Sequence, residues 1–261
     1  MFNIQLAKAF LKHRALAKTR HGVHSPFVYR LIDKVIYDFE PRPVFSSIEN
    51  LRKVLIKDER TLTITDLGAG SHINNNKQKK VKDLASNALK PKKIAQLIYR
   101  IVNDLKPANI VELGTCLGLT TAYLSAGASD AKVVTIEGCP QTAAIAKENM
   151  DKLHADNVQL KVGNFDEQLP LTLKELGLLD FIFIDGNHRK EATLQYFKDC
   201  LPYIQEHSVM IFDDIYWSRG MEEAWDEIKK HPQVTVTVDL FWIGVVYFKK
   251  DQAKEHFKIK F

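Results

Sequence analysis

The sequence predicts an α/β fold: a doubly wound, mostly parallel sheet with helices on both faces and a mainly helical N-terminal cap. Three observations carry this. From Asn109 onward, strand-length apolar runs alternate with helix-length segments, the pattern of repeated βα units. The first run, Ile110-Val111-Glu112-Leu113, ends in a glycine bend, Gly114-Thr115-Cys116-Leu117-Gly118, that opens into a helix at Leu119-Thr120-Thr121. Two β-rich runs at 234–238 and 242–248 close the chain on a short connection, which makes them a hairpin with one antiparallel strand.

The elements follow in order. Phe2, Leu6, Phe10 and Leu11 recur at helical spacing and predict an amphipathic helix with a basic face. Ser25 and Pro26 suit the N-cap and first position of a helix through Tyr37, with His21 and His24 just before it as capping or polar-contact residues. Pro41-Arg42-Pro43 breaks the chain, and helical spacing resumes over 48–56. A strand-like run at 61–65 leads to Asp66-Leu67-Gly68-Ala69-Gly70-Ser71, a second acid-plus-glycine turn. The Asn74-to-Lys80 run behind it is too polar for the buried helix such a turn should open, so a loop is expected there. Pro91 opens a helix whose apolar face is Ile94, Leu97, Ile98, Ile101, Val102 and Leu105. The chain is therefore divided into a cap, 1–90, and a main domain, 91–261. In the main domain strands are expected at 109–113, 132–136, 158–162, 180–184 and 208–212. Helices are expected at 120–126, 141–153, 171–176, 190–201 and 220–230. Such a Rossmann-like sheet binds ligands beyond the C-terminal ends of its strands.

Composition narrows the class. With 45% hydrophobic and 26% charged residues the chain is an ordinary globular protein. Its net charge of +5 is spread along the sequence, and no concentrated basic and aromatic surface for nucleic acid stands out. No apolar run is long enough for a membrane span, and the N-terminus lacks the uninterrupted apolar core of a signal peptide. Cys116, Cys139 and Cys200 are odd in number and show no metal spacing, which fits reduced thiols and a cytoplasmic setting.

Two glycines let the backbone bend with positive φ and admit a ligand without Cβ interference. The helix behind them turns free N–H groups and a positive dipole end toward that ligand, which points to a nucleotide-like cofactor. Glu137 ends the next strand, where a carboxylate can accept hydrogen bonds from both hydroxyls of a ribose. The x-x-x spacing between Gly114 and Gly118 differs from the G-x-G-x-x-G dinucleotide fingerprint and counts against NAD.

Glu112-Leu113-Gly114-Thr115-Cys116-Leu117-Gly118, Ile136-Glu137-Gly138 and Phe183-Ile184-Asp185-Gly186-Asn187-His188 together resemble class I S-adenosylmethionine-dependent methyltransferases. The similarity spans residues 92–248 and is closest to the small O-methyltransferase branch of catechol and caffeoyl-CoA enzymes. The chain ends also look like an uncharacterised bacterial methyltransferase group. The resemblance implies S-adenosyl-L-methionine as cofactor, with Gly114, Thr115, Cys116 and Gly118 around its methionine part and Glu112 near its amino group. It puts Glu137 and Gly138 at the ribose, Asn164 and Phe165 beside the adenine, and Asp185 and His188 on the side facing the sulfonium and acceptor. Relatives in the catechol branch hold a divalent metal at the positions of Asp185, Asp213 and Asp214. Three carboxylates suit Mg2+. The last position here is Asp where those relatives carry Asn, and the metal-free reading is favoured.

The expected reaction is O-methylation of a small hydroxylated molecule by in-line displacement, where alignment in a dry pocket is the main task. His188 is the leading general base, with Asp213 and Asp185 as the other catalytic candidates. Tyr216 and Trp217 could line an acceptor pocket, with Phe27 and Tyr29 from the cap, whereas Trp225 reads as core. The alternatives are a non-catalytic S-adenosylmethionine-binding or regulatory protein, and an N-methyltransferase. The Asn-Pro-Pro-Tyr-type tetrapeptide of amino-group enzymes is absent at Asp185-Gly186-Asn187-His188. The sequence leaves room for a homodimer.

Overall fold

The computed structural model describes residues 4–65 and 77–261. The second glycine turn, from Asp66 to Ser71, and Asn74–Asn76 lie outside the described residues.

The chain opens with α1 (Ile4–Leu16), α2 (Pro26–Leu31) and α3 (Pro43–Leu55). Ser25 caps α2, its hydroxyl accepting from the Val28 amide, and Pro26 occupies the first turn, where no N–H is needed. A wider π-type turn carries α2 on through Ile36. The amphipathic reading of α1 needs correction. Leu11 is exposed, whereas His13 is buried and bonds Asp239, so tertiary contacts decide which face turns inward.

A short hairpin follows, β1 (Thr61–Thr63) pairing antiparallel with β2 (Gln78–Lys80). Thus the end of the polar run read as a loop is strand, and it leads straight into α4 (Val81–Asn87). Next come α5 (Lys92–Leu105), β3 (Asn109–Leu113), α6 (Leu119–Gly127), β4 (Lys132–Glu137), α7 (Pro140–Lys152) and β5 (Val158–Val162). The helix expected at 171–176 is twice as long: α8 spans Phe165–Leu176. It starts where the Asn164 side chain accepts from the Asp166 amide, a capping signal earlier than the apolar pattern suggests. The remaining elements are β6 (Leu179–Ile184), α9 (Lys190–Cys200), β7 (Ile204–Asp213), α10 (Arg219–Lys230), β8 (Val236–Asp239), β9 (Ile243–Tyr247) and β10 (Glu255–Lys258).

Among the described residues, eight strands form the main sheet in the order β10-β8-β9-β7-β6-β3-β4-β5. Strands β3 to β7 are mutually parallel, and β9 runs antiparallel to both β7 and β8. Strand β10, whose polar sequence gave no strand signal, adds parallel to β8 at the edge. Its neighbourhood ties the chain ends together, because Lys18 donates to the Lys258 carbonyl at 2.8 Å and accepts from Lys260 at 2.9 Å.

The central parallel strands β3 and β6 are buried on both faces, whereas the edge strand β5 is partly exposed, and alternation assigns each central residue to one of two apolar layers. Ile110, Phe181, Phe183 and Ile211 pack with α2 and α5 residues such as Ile32 and Ile98. Val111, Ile182, Met210 and Phe212 pack on the opposite face with Tyr196 and Trp225. A third cluster joins α3, α4, α5 and α6 through Ile48, Leu55, Val81, Tyr99 and Tyr123. Winding goes outward from β3 through β4 to β5, then resumes on the other side with β6 and β7. The order therefore reverses between β3 and β6, and a crevice opens beyond their C-terminal ends at that switch point.

Candidate active site

The glycine bend sits in that crevice. Gly114 has φ +98°, and a Cβ there would fall 2.0 Å from the Asp185 carbonyl oxygen. The reason is a close approach of two strand ends: the Asp185 amide donates to the Leu113 carbonyl at 2.9 Å. Gly118 has φ +80° and N-caps α6, with α7's Ala146 backbone filling the place of its side chain. Both glycines are thus demanded by neighbouring backbone.

Glu137, at the end of β4, locks the bend from the side. One carboxylate oxygen accepts from the Cys116 amide at 2.8 Å and the other from the Cys139 amide at 2.9 Å. Burial raises its pKa, and those amides pull the other way. Beyond it, Phe165 starts α8 with its ring against Gly186, where a Cβ would lie 2.7 Å from the ring. The ring is braced edge-on by Tyr196 at 6.1 Å.

The other wall is charged. The loops after β6 and β7 bring Asp185, His188, Asp213 and Asp214 together, and Lys90 enters from the residue pair just before α5. The Lys90 ammonium lies 3.0 Å from Asp185 and also bonds Asp213. Burial alone would lower the Lys90 pKa, but Asp185, Asp213 and Asp214 more than offset it, and the net shift is upward. Burial raises the Asp185 carboxyl well above its ordinary value and the Asp214 carboxyl to about 7, with Asp213 adding to both and Lys90 opposing. His188 Nε2 is 3.8 Å from Asp185 and 3.9 Å from Asp214, too far for a hydrogen bond. Burial lowers its pKa, so the imidazole is neutral near pH 7.

Three turns around this crevice carry a non-glycine residue in the left-handed region: Cys116 at φ 50°, Asn187 at 50° and Asp214 at 52°. Each costs on the order of 1 kcal/mol or more, and such strain collects where side chains must be aimed rather than relaxed.

A cleft of about 400 Å3 joins the two walls. Gly114, Cys116, Glu137, Gly138, Asn164, Phe165, Asp185, His188, Asp214 and Trp217 lie on its surface. Four of the expected cofactor, catalytic and metal residues do not. Glu112 is fully buried behind the bend, accepting from the Thr121 and Thr135 hydroxyls, with its other oxygen unpartnered among the described residues. Thr115 is turned inward onto Thr135, Gly118 lies under the helix start, and Asp213 sits behind Lys90. Among the aromatics, Tyr216 bonds Asp239 and stacks on Phe241, Phe27 packs on Tyr247, Tyr29 is exposed, and Trp225 is core. Neither His21 nor His24 is among the described residues lining the cleft.

Sequence reasoning missed Lys90, as well as Ile64, Thr65, Leu84, Asn87 and Ala88, which complete the rim from the cap side. Lys90 lies in a lysine-rich stretch that reads as a solvated face, and only its place before Pro91 and an apolar helix hinted otherwise. Among the described residues Asp185, His188 and Asp213 bring ligand atoms within 4.8 Å of one another. The Lys90 ammonium lies between Asp185 and Asp213, where it competes with a divalent ion for the same carboxylates.

The geometry can be set beside known proteins. Residues 111–215 match the model of a methyltransferase domain family. A catechol O-methyltransferase from Niastella koreensis is 31% identical over 110 residues, which is 41% of this chain and 49% of that enzyme. The chain thus spans about half the length of this curated relative. A Podospora anserina methyltransferase bound to SAH (S-adenosylhomocysteine) superposes with a TM-score of 0.60 at 15% identity, over 87% of this chain and 98% of that one. The Bacillus cereus O-methyltransferase in complex with SAH gives 0.56 at 18% identity, over 81% and 93%. Residues 111–215 thus match a methyltransferase domain, and the chain shares the fold of these SAH-bound methyltransferases.

Proposed function

We propose that the protein is an S-adenosylmethionine-dependent methyltransferase acting on a hydroxyl group of a small molecule. The observation that carries this is one cleft with two chemically distinct walls: a backbone cradle closed by Glu137, and a buried cluster of acids with a neutral imidazole. The cradle suits the cofactor. Glu137 faces the cleft beside Gly138 where it can accept from ribose hydroxyls, Gly114 and Cys116 border the methionine part, and Asn164 and Phe165 flank the adenine.

When bound, S-adenosylmethionine supplies a methyl group that is already activated as a sulfonium. The protein's task is then to hold acceptor, methyl and sulfur in line and to exclude water. His188, neutral and on the cleft wall, is placed to take the acceptor's hydroxyl proton. Its distance from both neighbouring carboxylates leaves Nε2 available for that bond. The cap residues that complete the rim, Ile64, Thr65, Leu84, Asn87 and Ala88, would choose the acceptor.

Calorimetry with S-adenosylmethionine and S-adenosylhomocysteine tests the cradle, and a methyl-donor assay over phenols, enols and amines tests the acceptor wall. Cofactor binding without turnover on any acceptor would make this a binding protein, and turnover on amines alone an N-methyltransferase. We assign the protein to the cytoplasm on its three unpaired cysteines. No described helix is long and apolar enough to cross a membrane. Assembly as a homodimer would cover the exposed Leu11, Leu16 and Trp242, and light scattering measures it.

A further inference from the structure

A buried ammonium is costly unless carboxylates meet it directly, and one held by acids in a cleft marks a candidate functional group. Lys90 has both features. Its side chain is 13% exposed, yet it reaches the cleft surface, and it is held between one acid from the loop after β6 and one from the end of β7. Asp214 adds a third carboxylate to the same cluster. The ammonium arrives from the segment just before α5, so three separate parts of the chain converge to build one cation position.

We propose that Lys90 is the cation of this site, taking the place between Asp185 and Asp213 that a divalent metal would need and offering its free N–H to a single oxygen of the methyl acceptor. The proposal rests on the methyl-transfer reading for its substrate, but not for its metal chemistry. An ammonium has three N–H donors. Asp185 and Asp213 take two, and the third is left for the cleft, where His188 also sits. An octahedral metal held by three side chains would keep three open positions and could grip two adjacent oxygens at once. One N–H can grip only one. The acceptor class that follows is a molecule with a single reacting hydroxyl, recognised as one oxygen, without need of a vicinal diol. A metal and Lys90 cannot share the two carboxylates without placing like charges within a few ångströms in a buried site. Occupancy by one excludes the other.

The direct test is binding of MnCl2 to the full chain, followed by the electron paramagnetic resonance of free Mn2+, with no turnover involved. Lys90→Ala should gain about one Mn2+ per chain, whereas wild type should show no stoichiometric site and bind at least tenfold more weakly. Adding Asp213→Asn to Lys90→Ala should abolish the gained site, which identifies the carboxylates as its ligands. Lys90→Gln, closer in size, serves the same purpose if the alanine variant melts early. One tight Mn2+ per wild-type chain would overturn the proposal whatever the variants do. So would a folded Lys90→Ala or Lys90→Gln that binds no better than wild type. In the methyl-donor assay, turnover should survive EDTA unchanged and fall about 100-fold in Lys90→Ala, and simple phenols should react within about threefold of vicinal diols. Activity that requires added metal, or diols alone, would overturn it as well. Failure to bind S-adenosylmethionine at all would instead remove the methyl-transfer reading, leaving the Mn2+ result to stand by itself.

Discussion

The two walls of the cleft are built in opposite ways. The cradle around Gly114 is made of backbone amides, glycines and one carboxylate whose oxygens are both satisfied by main-chain N–H groups. Its residues come from two consecutive βα turns, and its shape is set by how closely β3 and β6 approach. The acid wall is made of side chains: three carboxylates, an imidazole and an ammonium drawn from positions 90, 185–188 and 213–214. The first wall is fixed by main-chain hydrogen bonds and the close approach of backbone. The second is held by opposing charges in a buried place and depends on every partner being present. A cofactor used unchanged by many enzymes suits the first, and an acceptor that differs between enzymes suits the second.

That contrast can be broken at its strongest point. Gly114→Ala would drive a methyl group into the Asp185 carbonyl at a backbone angle that L-residues rarely adopt, so both walls should fail together. We expect a loss of about 3 kcal/mol or more of stability in thermal melts and no measurable cofactor binding by calorimetry. His188→Ala should separate the walls. Turnover should fall about 10²–10⁴-fold while the Kd for S-adenosylmethionine stays within a factor of about three. Full turnover in that variant would remove the histidine from the chemistry.

Glu112 probes what lies behind the cradle. Burial lifts its carboxyl from 4.5 to about 7, a shift equivalent to about 3 kcal/mol. Because the folded value is the higher one, the neutral acid is fully tolerated below pH 4.5, and stability is lost as pH rises through about 7. Glu112→Gln should therefore melt at or near wild type at pH 5 and several degrees above it at pH 8, read by calorimetric melting. A constant difference between the two pH values would show that the buried carboxyl does not titrate there. The smallest effect is expected from Glu137→Gln. Losing the charge while keeping the shape should weaken S-adenosylmethionine binding about tenfold and leave the acid wall intact, so that maximal turnover changes little.

Much of this molecule is legible without coordinates. The βα rhythm from Asn109, the hairpin at the end and the glycine bend were readable because strand burial on both faces and positive-φ turns leave local marks. What escaped has no local mark. Strand β10 and the β2 hairpin are polar segments that become strands only because an edge is there to receive them. The face that α1 turns inward was misread because His13 finds Asp239, 226 residues away. Glu112 and Thr115 belong to the recognisable motif yet face inward, since the pleat of β3 and the Thr135 hydroxyl decide their direction.

Sequence alone therefore determined the parallel strands, the closing hairpin and the glycine bend, because each depends on neighbours within a few positions. Only the tertiary structure decided the chemistry of the acid wall. Charge pairing acts across space, and nothing near Lys90 in the chain says that it ends between Asp185 and Asp213.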